Sequence, residues 1–274
     1  MKINYHKSFW ETGCDSPQQL AQLLDKIAAE GYQGSELFLP FYPLTPAQTL
    51  TLHNDRELDI ITGIATEGQT TNDHLESLKR QVDEAMAFSP KLINSHTGRD
   101  IFSLSDNMML FEQALLLQAQ YGIDITHETH RFRPTFSTLG TEQIIEQLPE
   151  LKLNLDISHW FVVHESDLTD QSERIAKLMN NVHHVHARVG FEEGPQVTDP
   201  QHPRWAGHLN RHTALWQSVV DVAKARGQDI LTITPEFGPF PYGHINPITD
   251  EPAIDIWAAN LFIKQHLEQA LVVG

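Results

Sequence analysis

From Ile3 to Leu271, strand-like and helix-like segments alternate eight times with no break in composition. The strand-like segments are 3–9, 34–39, 58–65, 91–98, 123–129, 151–158, 181–190 and 229–237. After them come helix-period segments at 17–30, 46–54, 73–88, 105–121, 141–148, 168–179, 210–226 and 254–271. In the first of these, Leu20, Leu23, Leu24 and Ile27 recur at helical spacing, and Gly122 and Gly227 stand where two later ones must stop. Eight such units in 274 residues are what a closed barrel requires, so the sequence predicts an α/β fold, a single (β/α)8 TIM barrel occupying residues 1–274 as one domain. An open doubly wound sheet would want a glycine-rich phosphate loop after the first strand, and "INYHKSF" is followed by none.

Strand alternation says what such a barrel would enclose. In "LKLNLDIS" Leu151, Leu153, Leu155 and Ile157 oppose Asn154, Asp156 and Ser158; in "DILTITPEF" Leu231 and Ile233 oppose Thr232, Thr234 and Glu236. In "NVHHVHARVG" Val185 and Ala187 oppose His184, His186 and Arg188. A barrel packs one face of each strand under its helices and turns the other inward, so the polar faces converge inside the barrel and at its mouth.

Glu128, Asp156, His186 and Glu236 all lie near the C-terminal ends of their strands, the end at which barrel active sites are built. Three carboxylates gathered there without a cation would repel one another, whereas a divalent metal would neutralise them. One imidazole with carboxylate oxygens suits one manganese, cobalt, zinc or magnesium ion. Asp124 competes as the acid of the fifth strand. His96 and Glu36, also near strand ends, are candidates for substrate binding, with loop capping as the plainer role. His127 and His183 read as structural or surface residues and His184 as a support behind the ligands, while His130 and Arg131 divide evenly between substrate contacts and loop anchors.

Charge narrows the partners. Lys+Arg 19 against Asp+Glu 36 gives 19 − 36 = −17, which would repel a phosphate backbone, and no basic run offsets it. No apolar run is long enough to cross a bilayer, and "MKINYHKSFW" lacks the apolar core of a signal peptide. With Cys14 as the single cysteine, the expectation is a cytoplasmic protein that binds neither nucleic acid nor membrane. Arg204 and "RFRP", Arg131 to Pro134, are candidates for a phosphate. Two long segments, 190–208 and 238–251, bring Phe191, Trp205, Phe240 and Tyr242 to the presumed catalytic end, as a lid over a sugar or as a homo-oligomer contact.

The ordered set "GYQGSELFLP", "HETHR", "LDISHW", "HVHARVG" and "TPEFGP" resembles the xylose-isomerase-like TIM-barrel superfamily, the sugar phosphate isomerases and epimerases, over nearly the whole chain. The resemblance implies that Glu128, Asp156, His186 and Glu236 are metal ligands, that His159 and Trp160 meet the substrate, and that Arg188 holds a hydroxyl or anionic group. It implies a divalent-metal-dependent sugar or sugar-phosphate isomerase or epimerase, with Glu128, Glu236 and His159 moving protons through an enediolate. A dehydratase or lyase on the same site is the alternative. Further off stand an endonuclease IV-like phosphodiesterase and a non-catalytic sugar-binding barrel.

Overall fold

The computed structural model describes residues 1–273. Its eight strands are β1 (Lys2–Ser8), β2 (Gly34–Phe38), β3 (Asp59–Ala65), β4 (Ile93–His96), β5 (Ile125–Glu128), β6 (Lys152–Leu155), β7 (Val182–Ala187) and β8 (Ile230–Pro235). They are parallel, pair in chain order, and close where β1 meets β8, from Lys2 opposite Ile230 to Tyr5 opposite Ile233. This is the (β/α)8 barrel that the eightfold alternation predicts.

The helices begin where short polar side chains can accept their free N–H groups. Ser16, Thr45, Thr70, Ser103 and Ser137 cap α1 (Pro17–Ala29), α2 (Pro46–Asn54), α3 (Thr71–Met86), α4 (Leu104–Tyr121) and α5 (Thr138–Gln147) in this way. Gly122 ends α4 in the left-handed conformation, φ 64°, that a glycine adopts without strain. The apolar strand faces, with Leu153, Leu155, Val185, Ala187, Leu231 and Ile233, are buried in one core with Leu20, Leu24, Trp216 and Val219 from the helices. The opposite faces point into the barrel.

One segment departs from the sequence reading. The alternation of Asn154, Asp156 and Ser158 looks like a strand running to Ser158, but β6 stops at Leu155. Asp156 instead caps α6 (Ile157–His164), its side chain accepting from the Ser158 N–H, because an aspartate at a strand end is as good a helix start as a strand residue. The expected helix at 168–179 is correspondingly shorter, a 3-10 turn at Thr169–Gln171 followed by α7 (Ser172–Leu178). The series closes with α8 (Ala206–Ala225), four residues earlier than its sequence pattern suggests, and α9 (Ile256–Ala270). Among the described residues no helix is long and apolar enough to cross a membrane.

Candidate metal centre

Closure of the barrel brings four strand ends to one place. Glu128 is the last residue of β5, Asp156 follows β6, His186 is next to last in β7 and Glu236 follows β8. One potential ligand atom from each lies within 4.8 Å of every other. Glu36, from β2, adds a fourth carboxylate below them and forms an overlapping group with His184 and His186.

The polar contacts are specific. Glu36 accepts from Thr234 Oγ1 at 2.6 Å and meets His184 Nε2 at 3.2 Å and His186 Nε2 at 2.9 Å. Glu128 Oε2 accepts from the Asn94 amide at 3.0 Å and the Asn154 amide at 3.4 Å, and lies 2.7 Å from His96 Nε2. Asp156 Oδ1 accepts from Ser158 N at 3.1 Å and Oγ at 2.5 Å, and its other oxygen is bound by Arg188. Arg188 also donates to His159 Nε2 at 3.0 Å and lies 3.5 Å from Glu236 Oε2. Asp156 thus has both oxygens engaged, and Glu236, 14% exposed, is the most open of the four.

His186 tests whether these residues suit a cation. Its Nδ1 is 3.0 Å from Glu236 Oε2 and 3.3 Å from Glu128 Oε2, yet it is buried with no hydrogen bond of acceptable direction. A ring nitrogen and carboxylate oxygens that converge without hydrogen-bond geometry between them are arranged as ligands are, and in a buried site a positive charge is what offsets the repulsion among the carboxylates. The electrostatics agree. Burial pushes the His186 imidazolium toward losing its proton, but Glu236, Glu36 and Glu128 outweigh it and hold its pKa well above the ordinary range. Burial would raise the Glu128 carboxyl, and His96 and His186 together hold it well below the usual range. Asp156 goes the other way: burial raises it to about 6, against the pull of Arg188. Three oxygens and one nitrogen suit magnesium, manganese, cobalt or zinc.

Over this cluster opens a cavity of 190 Å³. Its aromatic lining is Trp10, Phe38, Phe41 and Tyr242, and its polar lining includes Asn94, His96, His130 and Arg188 besides Glu36, Glu128, His186 and Glu236. The rings of His96, His130 and His159 form a column with centroids 4.7 and 4.0 Å apart, and Tyr242 closes it with its hydroxyl 3.1 Å from His130 Nε2. His159 is fully buried behind His130, where burial first and the neighbouring His130 and Arg188 next hold its pKa well below the ordinary value.

Some sequence candidates lie elsewhere. Trp160 is not brought to the cavity: it is fully buried in the core and its indole N–H is spent on the Thr135 carbonyl at 3.1 Å. Asp124 precedes β5, is exposed enough to pair with Lys152, and leaves the site to Glu128. Among the described residues none from 190–208 lines the cavity; Phe191 packs on Trp205 at 4.9 Å, and Arg204 edges a separate cleft with Trp205. His127 points outward to Thr97 and Phe111. Ser8, Trp10, Phe38, Phe41 and Asn94 are the lining residues that sequence reasoning did not single out. Of these only Asn94 carried a signal, being two residues before His96 on the polar face of β4.

No family model matches the sequence, and neither does any curated protein. Solved structures do match in shape. A D-allulose 3-epimerase from Methylomonas sp. in complex with D-allulose superposes over 98% of this chain and 97% of its own, with TM-score 0.66 and 14% identity. A xylose isomerase-like TIM barrel protein from Mycobacterium smegmatis in complex with magnesium covers 94% of this chain and 90% of its own, at TM-score 0.64 and 15% identity. This chain shares their (β/α)8 TIM-barrel fold. A sugar phosphate isomerase/epimerase from Parabacteroides distasonis matches 98% of it and 94% of that chain, with TM-score 0.63 and 12% identity. A probable dehydratase and an endonuclease IV share the fold as well, so the shape spans several chemistries.

Proposed function

We propose that this xylose-isomerase-like barrel is a divalent-metal-dependent isomerase or epimerase of a sugar or sugar phosphate. The observation that carries the reading is the convergence of His186 Nδ1 with the Glu128 and Glu236 carboxylates at the barrel mouth, inside a cavity walled by aromatic rings. Glu128, Asp156, His186 and Glu236 would hold one ion. When bound, it would supply Lewis-acid polarisation of the carbonyl, acidifying the adjacent C–H.

The chain's own residues do the rest. Glu128 and Glu236 come from strand ends on either side of His186, and each can take or return a proton at the carbon beside the carbonyl. His96, 2.7 Å from Glu128, can pass that proton on, and Arg188 steadies Asp156 and Glu236. Trp10 and Tyr242, in edge contact at 4.9 Å, offer apolar faces for the C–H side of a sugar and narrow the way in for water. The two carboxylates acting on opposite faces give epimerisation; return of the proton to the neighbouring carbon gives aldose–ketose isomerisation.

On this reading residues 1–274 work as one catalytic domain in the cytoplasm, on a small sugar rather than on nucleic acid. The acidic balance, −17, supports the choice of partner. The test is turnover of a panel of sugars and sugar phosphates by protein loaded with each metal in turn, followed by NMR in D₂O. Solvent deuterium at the carbon beside the carbonyl is expected. Failure of every metal-loaded form to exchange or convert any member would overturn the reading.

A further inference from the structure

Beside the candidate metal centre, at the C-terminal ends of β3 and β4, lies a second and larger cavity of 720 Å³ that shares Phe38, Phe41 and His96 with the first. Its inner wall carries donors with nothing to donate to. Arg133 is 8% exposed, and one of its nitrogens binds the carbonyls of Gly98 at 2.8 Å and Thr66 at 3.3 Å. Its Nε is buried without a partner. Arg99 Nε is in the same condition, and so is Nε2 of His74, whose other ring nitrogen is held by Thr66 Oγ1 at 2.8 Å.

Among the described residues neither Arg99 nor Arg133 makes an ion pair, in a chain where acids outnumber bases by 36 to 19. The carboxylates that line this cavity, Glu67 and Glu84, are both taken by Arg80, at 2.8 and 3.2 Å. The two guanidinium groups, neither paired with a carboxylate among the described residues, are held on one ring: the Arg99 and Arg133 carbons lie 3.7 and 5.5 Å from the centre of Phe132. Phe132 does this at φ 74°, a backbone conformation that a bulky residue adopts only when its surroundings impose it. A buried guanidinium without a carboxylate, a second one beside it and an unpartnered imidazole nitrogen form a place for an oxyanion, whose oxygens match the donor fork of arginine.

We propose that this cavity takes the anionic end of the substrate, a phosphate or a carboxylate, while the sugar carbonyl reacts at the adjoining metal centre. The inference rests on the isomerase or epimerase reading for the identity of that substrate, but the anion subsite can be tested without turnover. The metal-loaded protein is titrated calorimetrically with inorganic phosphate and, separately, with acetate. The same titrations are run on Arg99→Met, Arg133→Met and Glu236→Gln.

At least one anion binds the wild type, Arg99→Met weakens it about tenfold or more, as expected for loss of one charge-assisted hydrogen bond, and Glu236→Gln leaves it in place. The anion that depends on Arg99 tells phosphate from carboxylate. If Arg133→Met fails to fold, Arg99→Met still decides. Binding of neither anion by the wild type, or equal binding by Arg99→Met, overturns the proposal. With a substrate in hand, Arg99→Met should lower the preference for an anionic sugar over its neutral counterpart by a similar factor. If no sugar turns over while Arg99-dependent anion binding stands, the functional reading falls and the subsite remains.

Discussion

Changing Glu236 to glutamine separates the two roles assigned to that carboxylate, because the amide keeps a ligating oxygen and loses the base. The surroundings make it the better of the two glutamates for this purpose. Glu128 is nearly closed off, with one oxygen already facing Asn94, His96 and Asn154. Glu236 is 14% exposed, and among the described residues its ion-pair partners are His186 at 3.0 Å and Arg188 at 3.5 Å. A proton-transfer role alone would cost about 10²–10⁴-fold in turnover, or roughly 2.7–5.4 kcal/mol of transition-state stabilisation. The assay is NMR of the substrate in D₂O with metal content measured on the same samples. Glu236→Gln should keep its metal and fall within that range. If the reaction is an epimerisation, it should also exchange deuterium into one epimer without converting it, because removal on the Glu128 face survives while return from the other is lost. Glu128→Gln should lose as much turnover and exchange into the opposite epimer. If both variants keep metal and turn over at near wild-type rates, the glutamates are ligands only, and the acid–base work belongs to His96 or His159.

Reconstituted protein should retain about one divalent ion per chain after desalting and His186→Ala none, by elemental analysis; equal retention would remove His186 from the ligand set. Tyr242→Phe loses the hydroxyl that meets His130 at 3.1 Å and should raise KM about two- to tenfold, whereas an unchanged KM would place that hydroxyl outside substrate binding. Trimming the middle of 190–208 should leave kcat and KM unchanged, since none of it lines the cavity, and a rise in KM would make it a lid after all. Stability should fall with acid: burial lowers His127 and His212 to about 3 in the folded chain, so the unfolded chain binds more protons between there and 6.5. Stability should therefore be full above about pH 7 and decline by up to about 1.4 kcal/mol per unit per histidine below 6.5, and denaturation midpoints that stay flat from pH 7 to 5 would contradict the burial of these rings.

The barrel was legible because its period is written into both faces of each strand. Leu153 and Leu155, or Leu231 and Ile233, could only lie under helices, and the polar residues between them could only face the interior. What misled was Asp156. Its place in the alternation is the same whether it continues a strand or caps a helix, and only the backbone turn after Leu155 decides. The consequence is functional, because the turn puts Asp156 against Ser158 and Arg188.

The acids and histidines of the candidate site share that legibility, since a charged group on an inward face at a strand end must find a partner or a ligand there. The aromatic wall does not. Trp10 and Tyr242 stand 232 positions apart, in segments with no strand or helix period, and phenylalanines 38 and 41 look no different from core residues. Trp160 shows the converse error: a tryptophan beside His159 and close to an acid reads as a site residue, but on a helix the residue after an inward one points elsewhere, here into the core. Arg133 was visible only as part of "RFRP", a motif as common on surfaces as in sites. What distinguishes it is a lack, a buried guanidinium with no carboxylate, and the absence of an acidic partner is a property of the fold that no single segment can display.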